Sequence, residues 1–390
     1  MPSENSAIRP AEIIHSIPPS GIRAFFDLVL GMKDVISLGV GEPDFVTPWA
    51  FRESAIYSLE KGFTSYTSNK GLLELRKSIA AFLRKRRKLD YDPEHEILIT
   101  VGVSEAMDLA LRALLNPQDE VLISEPSYVS YAPLTKLAGG VPVKVATSAK
   151  QKFKCGPSDI RRAVTPRTRA LLINYPCNPT GASYTRNELL KIASVVKAKN
   201  LAVISDEIYD ELTYEGEHTA FPSLPGMNEK TIYLNGFSKA FAMTGWRIGY
   251  ACGPRDIIEA MTKIHQYSML SAPTMGQFAA LEALKSGQKQ VFEMKNEYFR
   301  RRNLMVEELN RMGLDCLQPA GAFYVFPSIR KTKLTSMAFA EKLLKREKVA
   351  VVPGVAFGPS GEGHVRMSYA TGFDDLKEAL RRIKHFLSQL

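Results

Sequence analysis

From about residue 97 to residue 252, short β-branched or apolar runs alternate with stretches of helical periodicity, and no other feature constrains the fold as strongly. Strands joined through helices build βαβ units, which lay neighbouring strands parallel and cover both faces of the sheet. Strands are predicted at 97–101, 120–124, 169–174, 201–205, 231–235 and 248–252. Gly102 breaks the first, and Met107, Ala110, Leu111, Leu114 and Leu115 then recur at helical spacing, with Ser104 placed as the N-cap. Another helix is predicted at 186–199. The last third changes character, with a long charged helical pattern at 277–312, strands at 322–326 and 349–352, and an amphipathic helix at 374–387. This reads as a smaller α+β domain, completed by the amino-terminal segment. No internal repeat, low-complexity stretch or long Pro/Gly/Ser linker is present.

With 390 residues, 45% of them hydrophobic and 24% charged, the chain has the apolar material for a large core, which excludes disordered and collagen-like classes. No run approaches the roughly 18 apolar residues that span a bilayer, and residues 1–10 are polar, so neither membrane insertion nor secretion is expected. Cys155, Cys177, Cys252 and Cys316 are too widely spaced for a disulfide framework or a metal site and read as reduced thiols in a cytoplasmic protein. A formal charge of +10 favours an anionic partner: nucleic acid, a membrane surface, or small phosphates and carboxylates. The basic runs at 84–88 and 300–302 lie on helical segments and read as solvated faces rather than polyanion sites.

In open α/β sheets ligands bind beyond the carboxyl ends of the strands, so the residues that follow each apolar run are the candidates for chemistry. After 97–101 come Gly102, Val103, Ser104 and Glu105, a glycine turn into a helix amino terminus that suits a phosphate, or an ordinary cap. After 120–124 comes Tyr128, an aromatic at the sheet rim able to stack on a planar ligand or simply to pack. After 169–174, the segment Tyr175-Pro176-Cys177-Asn178-Pro179-Thr180-Gly181 fixes an irregular loop in which Asn178 is either a ligand or a turn former. After 201–205 come Asp206, Glu207 and Tyr209; a carboxylate entering a site at a strand end needs a cationic partner. After 231–235 come Ser238 and Lys239, then Arg247; Phe237, Ala240 and Phe241 make an apolar setting that lowers an amine pKa. The segment Gly39-Val40-Gly41-Glu42-Pro43-Asp44 begins like a dinucleotide fingerprint but lacks its third glycine.

A phosphate cradle, a stacking ring, a carboxylate for a protonated pyridine, a phenol and amide for a ring oxygen, and an imine-forming lysine together match the needs of pyridoxal 5′-phosphate. The sequence also resembles the class I/II aminotransferases of the aspartate aminotransferase superfamily, fold-type I pyridoxal phosphate enzymes, and within them the bacterial PatA-like kind. The resemblance runs from Ile36-Ser37-Leu38-Gly39 and Gly41-Glu42-Pro43-Asp44-Phe45 to Val365-Arg366-Met367-Ser368. It is most specific at Ser238-Lys239-Ala240-Phe241-Ala242-Met243-Thr244-Gly245-Trp246-Arg247, with Asn178-Pro179-Thr180-Gly181 and Asp206-Glu207-Ile208-Tyr209 beside it.

The resemblance implies an α/β fold in which a mostly parallel seven-stranded sheet lies between helices, with a smaller α+β domain. Its expected boundaries are 1–48 for the amino-terminal segment joining the small domain, 49–285 for the large cofactor-binding domain and 286–390 for the small domain. It implies that Lys239 forms the internal aldimine and shuttles the proton, that Asp206 pairs with the pyridine nitrogen, and that Asn178 and Tyr209 bond the ring oxygen. Tyr128 is expected to stack on the ring, and Val103, Ser104, Ser238 and Arg247 to hold the phosphate. Tyr66 is expected to reach the phosphate of a neighbouring subunit, making the active unit a homodimer. Arg366 is expected to grip the substrate carboxylate, with Gly41 and Asn178 assisting.

The activity so implied is transfer of an amino group from an L-amino acid to a 2-oxo acid such as 2-oxoglutarate, by a ping-pong cycle through pyridoxamine phosphate, without nucleic acid, membrane or metal. Ser104 stands where one aspartate-active branch carries a lysine, which argues against strict dicarboxylate specificity, and Arg23 is a candidate for meeting an acidic side chain or a solvated helix residue. A pyridoxal phosphate lyase of the same fold is the rival reading. A non-catalytic regulator is a third, disfavoured because the aminotransferase body starts within the first 40 residues.

Overall fold

A computed structural model of the chain describes residues 8–19, 21 and 32–390; Arg23 lies outside the described residues. In chain order the strands are β1 (Ile36–Ser37), β2 (Ile97–Thr100), β3 (Glu120–Glu125), β4 (Val141–Ala146), β5 (Thr168–Asn174), β6 (Ala202–Asp206), β7 (Thr231–Gly236), β8 (Gly249–Cys252), β9 (Tyr324–Val325), β10 (Val349–Ala350), β11 (Val352–Pro353) and β12 (Val365–Ser368). Seven of them form the central sheet in the order β2-β8-β7-β6-β5-β3-β4. Strands β4, β3, β5, β6 and β7 pair in parallel, and β8 is antiparallel to both of its neighbours.

The sheet is covered on both faces, as parallel strands require. One face packs on the helix Gly102–Leu114, through Ala106, Met107, Ala110 and Leu111, and on Ile258 and Met261 of the helix Arg255–Ser268. The other packs on Leu189, Ile192, Val195 and Val196 of the helix Arg186–Ala198. That helix starts at a capping box, in which the Thr185 hydroxyl accepts from Glu188 N while Glu188 accepts from Thr185 N.

The sequence reading missed β4, the edge strand. Pro142 and Lys144 interrupt its apolar pattern, and both are tolerated because β4 pairs on one side only and is half-exposed. The segment 277–312 is two helices, Thr274–Ser286 and Gln288–Arg311, rather than one. They break at Gly287, where a Cβ would lie 2.6 Å from the Phe51 ring, so the glycine admits the close approach of the helix Trp49–Glu60. Ser104 is not the N-cap: the helix begins at Gly102 behind Val101, so Ser104 stands inside its first turn.

The carboxyl-terminal third holds an antiparallel three-stranded sheet, β11-β12-β9, and β10, which pairs in parallel with β1 through Ile36 to Val349 and Ser37 to Ala350. Leu38 is buried in the same core as Phe323, Val349, Val365 and Phe386, so the 36–38 segment is part of this unit.

The basic runs are not simply solvated faces. Arg87 is buried and bonds Asp210 at 2.7 Å and Glu211 at 2.5 Å. Arg301 is buried against Asp44 and Glu297, and Arg302 against Glu215 and the Pro319 carbonyl. Each of these arginines pins its helix to another segment, whereas Arg84 and Arg300 stay exposed.

Candidate active site

Strands β3, β5, β6 and β7 end, at their carboxyl termini, on a cavity of about 790 Å³. Asp206 enters from β6, Ser238 and Lys239 follow β7, and Tyr128 follows β3. The amino-terminal segment supplies Gly39 to Glu42, while Tyr324 and Arg366 come from β9 and β12. The central sheet and the carboxyl-terminal unit thus each contribute one wall.

Lys239 Nζ donates to the Gly41 carbonyl at 2.7 Å and stands 6.0 Å from the centre of the Phe323 ring. Burial pushes its pKa down to about 8; Glu42 acts in the opposite direction, and Arg366 and Arg247 add to the lowering. An amine so placed has a substantial neutral, nucleophilic fraction near neutral pH.

Asp206 is buried, and desolvation raises its carboxyl pKa to about 6. Two donors work against that rise: Tyr131 Oη gives a hydrogen bond to Oδ2 at 2.7 Å, and Ile208 N gives one to Oδ1 at 3.2 Å. Tyr131 is therefore the residue that aims this carboxylate. Sequence reading missed it; three residues after Tyr128, it looked like one more rim aromatic, and the two rings meet edge to face at 5.6 Å.

Arg366 is 2% exposed, yet it makes no salt bridge among the described residues. Nη1 donates to Asn178 Oδ1 at 2.9 Å and Nη2 to the Gly39 carbonyl at 2.5 Å, while Nε is buried without a partner among the described residues. The guanidinium lies 4.5 Å from the Tyr324 ring centre and 5.0 Å from that of Phe357. A buried cation costs several kcal/mol unless an anion joins it, on the order of the penalty known for ions in protein interiors. This one faces the cavity, which marks an anion site. Tyr209 Oη and Tyr324 Oη are 2.9 Å apart beside it. Asn178 is held in turn, because its N–H donates to Asn174 Oδ1 and the Asn174 amide donates to the Asp206 carbonyl.

A second anion site lies at the amino end of the helix Gly102–Leu114, where Val103, Ser104, Ser238 and Arg247 line the cavity. Gly102 has φ +73°, and a Cβ there would come within 2.5 Å of the Arg247 guanidinium. At Gly249 a Cβ would come 2.6 Å from Val103 N, so β8 passes directly beneath the turn. Glycine at both positions is what allows a turn of free N–H groups and a guanidinium to converge.

Every cavity residue predicted from the sequence lines this space, Gly41, Val103, Ser104, Tyr128, Asn178, Asp206, Tyr209, Ser238, Lys239, Arg247 and Arg366 among them. Tyr66 does not: it is 80% exposed on the outer surface. Glu42 and Tyr324 were also missed. Glu42 accepts from the Thr244 hydroxyl at 3.0 Å, and Tyr324 sits where a Cβ on Gly41 would come 2.5 Å from its hydroxyl. Neither stands at the carboxyl end of a strand of the central sheet, where the sequence pattern points.

The donor set fits pyridoxal phosphate: a lysine of lowered pKa, a carboxylate behind it, a cationic phosphate cradle on one side and an unpaired buried arginine on the other. Comparison with known proteins agrees. Residues 33–383 match the family profile described as aminotransferase class I and II. YugH of Bacillus subtilis strain 168 is 55% identical over 377 residues, covering 97% of this chain and 98% of that one. An aspartate aminotransferase of Pyrococcus abyssi is 48% identical over 376 residues, covering 96% and 97%. The crystal structure of an aromatic aminotransferase from Pyrococcus horikoshii superposes with a TM-score of 0.90 at 48% identity, covering 94% of this chain and 99% of that one.

Proposed function

The chain belongs to the class I and II aminotransferases, and from that premise we propose that it uses pyridoxal 5′-phosphate to move an amino group from an L-amino acid to a 2-oxo acid, 2-oxoglutarate being the acceptor, in a ping-pong cycle. The observation that carries this reading is the buried Arg366, which has no salt-bridge partner among the described residues and faces the same cavity as Lys239 and Asp206. When bound, the cofactor supplies an aldehyde to attach amines and a protonated ring to accept electrons from the substrate Cα.

Lys239 would hold the cofactor through its aldehyde and, freed when the substrate amine takes its place there, would be the base that moves the proton from Cα. Asp206, aimed by Tyr131, would pair with the ring nitrogen and keep it protonated. Asn178 and Tyr209 would bond the ring hydroxyl, and Tyr128 would cover the ring face. The turn Val103–Ser104, with Ser238 and Arg247, would hold the phosphate. Arg366 binds the α-carboxylate through a bidentate fork, Gly41 and Asn178 flanking it, and so places Cα against Lys239.

The relatives named for an activity are aminotransferases, which disfavours the lyase alternative. Their names include aspartate, aromatic amino acids and N-acetyl-LL-diaminopimelate. Val40, Val129 and Leu134 line the cavity with apolar surface and Ser104 stands in place of a lysine, which supports donors with aromatic or other apolar side chains. A panel of amino donors against 2-oxoglutarate, with Lys239→Ala as the inactive control, tests the reading; transfer by the variant at the wild-type rate would refute it.

The working unit in this reading is a homodimer. Trp49, Tyr57, Tyr66, Tyr267 and Met269 are each more than half exposed. Asn69 Nδ2 to the Leu270 carbonyl and Thr274 Oγ1 to the Ser65 carbonyl tie the 65–69 and 270–274 segments into one surface. An apolar patch of that kind calls for a partner, and a second copy would bring Tyr66 to the neighbouring phosphate. The division at residues 48 and 285 into amino-terminal segment, large domain and small domain belongs to the same reading. So does a cytoplasmic location, supported by four buried, free cysteines. No helix among the described residues is long and apolar enough to cross a membrane.

A further inference from the structure

Behind the phosphate turn, on the side away from the cavity, a buried pair links two helices. Glu105, in the first turn of the helix Gly102–Leu114, uses its two carboxylate oxygens differently: Oε2 accepts from Val101 N at 2.5 Å, and Oε1 lies 2.6 Å from His265 Nδ1. His265 is fully buried in the last turn of the helix Arg255–Ser268, and its Nε2 has no partner among the described residues. The imidazole therefore has one polar contact here, and that contact is Glu105.

The arrangement matters because of what lies on the other side of the turn. The amino end of the helix Gly102–Leu114 carries a partial positive charge that favours any anion, Glu105 as much as a bound phosphate. A carboxylate free to turn would occupy the N–H groups a phosphate needs and repel its charge. Bonded to Val101 N and His265, it is drawn back, fixing the residue that precedes Gly102.

We propose that His265 is a positioning residue for the cofactor phosphate: it holds the Glu105 carboxylate against Val101 N–H and thereby keeps the Gly102–Val103–Ser104 turn open to a phosphate. The inference rests on the pyridoxal phosphate reading given above. It requires the effect of His265 to be selective for the phosphate, because Lys239, Asp206 and Arg366 are held by other contacts.

The test titrates cofactor-free wild type, His265→Ala and His265→Asn with pyridoxal 5′-phosphate and, separately, with pyridoxal, following the visible absorption of the lysine-bound ligand, and records thermal midpoints alongside. His265→Ala is expected to weaken pyridoxal phosphate about tenfold or more, the scale of a lost hydrogen bond to a charged group, while changing pyridoxal less than about twofold. His265→Asn, whose amide can replace Nδ1–H, is expected to restore most of the loss. If His265→Ala does not fold, His265→Phe, which fills the same space without a donor to Glu105, must show the same phosphate-selective loss. Unchanged affinity for pyridoxal phosphate, equal weakening of both ligands, or failure of Asn to rescue would overturn the inference. A wild type that binds neither ligand would overturn the cofactor reading itself.

Discussion

The Gly41 carbonyl accepts a hydrogen bond at 2.7 Å from Lys239 Nζ, joining residues 198 apart in the chain. The amine at the centre of the site is thus held by the segment that leads from β1 to the helix Trp49–Glu60. Gly41 is fixed in turn by Tyr324, whose hydroxyl would collide with any Cβ.

Lys239 should react with pyridoxal phosphate in a pH-dependent way. Its ordinary pKa of 10.5 falls to about 8 in the folded protein, chiefly through burial. At pH 7 about one amine in ten is then neutral, against roughly one in 3,000 at the ordinary value. The attachment rate, followed by stopped-flow absorbance, should rise about tenfold per pH unit below pH 8 and level off above it. A profile still rising steeply beyond pH 9 would mean the amine is not perturbed.

Asp206 carries a stability cost in the cofactor-free protein. Its carboxyl pKa is raised from 3.8 to about 6 by burial, so between these values the folded state binds more protons than the unfolded state. Stability therefore falls as pH rises through that window, and the penalty is full above pH 6 and absent below about pH 4. Asp206→Asn should raise the thermal midpoint at pH 8, with the gain vanishing at pH 4, while abolishing transfer. Tyr131→Phe removes a donor to the same carboxylate, so its cofactor-free protein should lose stability at pH 8 and its loaded form should transfer more slowly. A Tyr131→Phe variant matching wild type in both would remove Tyr131 from the site.

Arg366 should act on substrate binding across donors. Arg366→Ala is expected to raise KM for every amino acid about tenfold or more, since each loses the same charged contact. Arg366→Lys should recover only part of it, because an ammonium cannot form the fork. Steady-state kinetics on three chemically different donors check this; a KM change confined to one donor would place Arg366 at the side chain rather than the carboxylate.

Two arginines of one basic run should contribute unequally to stability. Arg87→Ala leaves the buried Asp210 without its cation and Glu211 with Arg86 alone, and should cost about 3–5 kcal/mol. Arg84→Ala removes only an exposed pair with Asp90 and should cost less than about 1 kcal/mol. Urea denaturation of the two variants distinguishes them; equal midpoints would show that the buried network adds nothing.

This contrast shows where the sequence was readable. Charge runs look alike whether solvated or buried, because pairing of Arg87 with Asp210 and Glu211 spans over a hundred residues and leaves no local periodicity. The central sheet was legible because βαβ alternation is local and its buried strands carry unbroken apolar runs, as β6 and β7 do. β4 was hidden since an edge strand can keep Pro142 and Lys144. Tyr128, Asn178, Asp206, Ser238 and Lys239 stood out because parallel strands deliver their following residues to one edge, whereas Gly41 and Arg366 were legible only through the family resemblance. Tyr131, Glu42 and Tyr324 did not, being defined by what they touch in space: a carboxylate, a threonine hydroxyl and a glycine Cα.

The most direct test of the central claim is a single half-reaction. Protein loaded with pyridoxal phosphate is mixed with an excess of an L-amino acid and no acceptor, and the 2-oxo acid and ammonia released are counted per subunit. The account predicts one equivalent of 2-oxo acid, no ammonia, and an amino group retained by the protein until 2-oxoglutarate is added. Continued release of 2-oxo acid with matching ammonia would contradict it and identify a lyase.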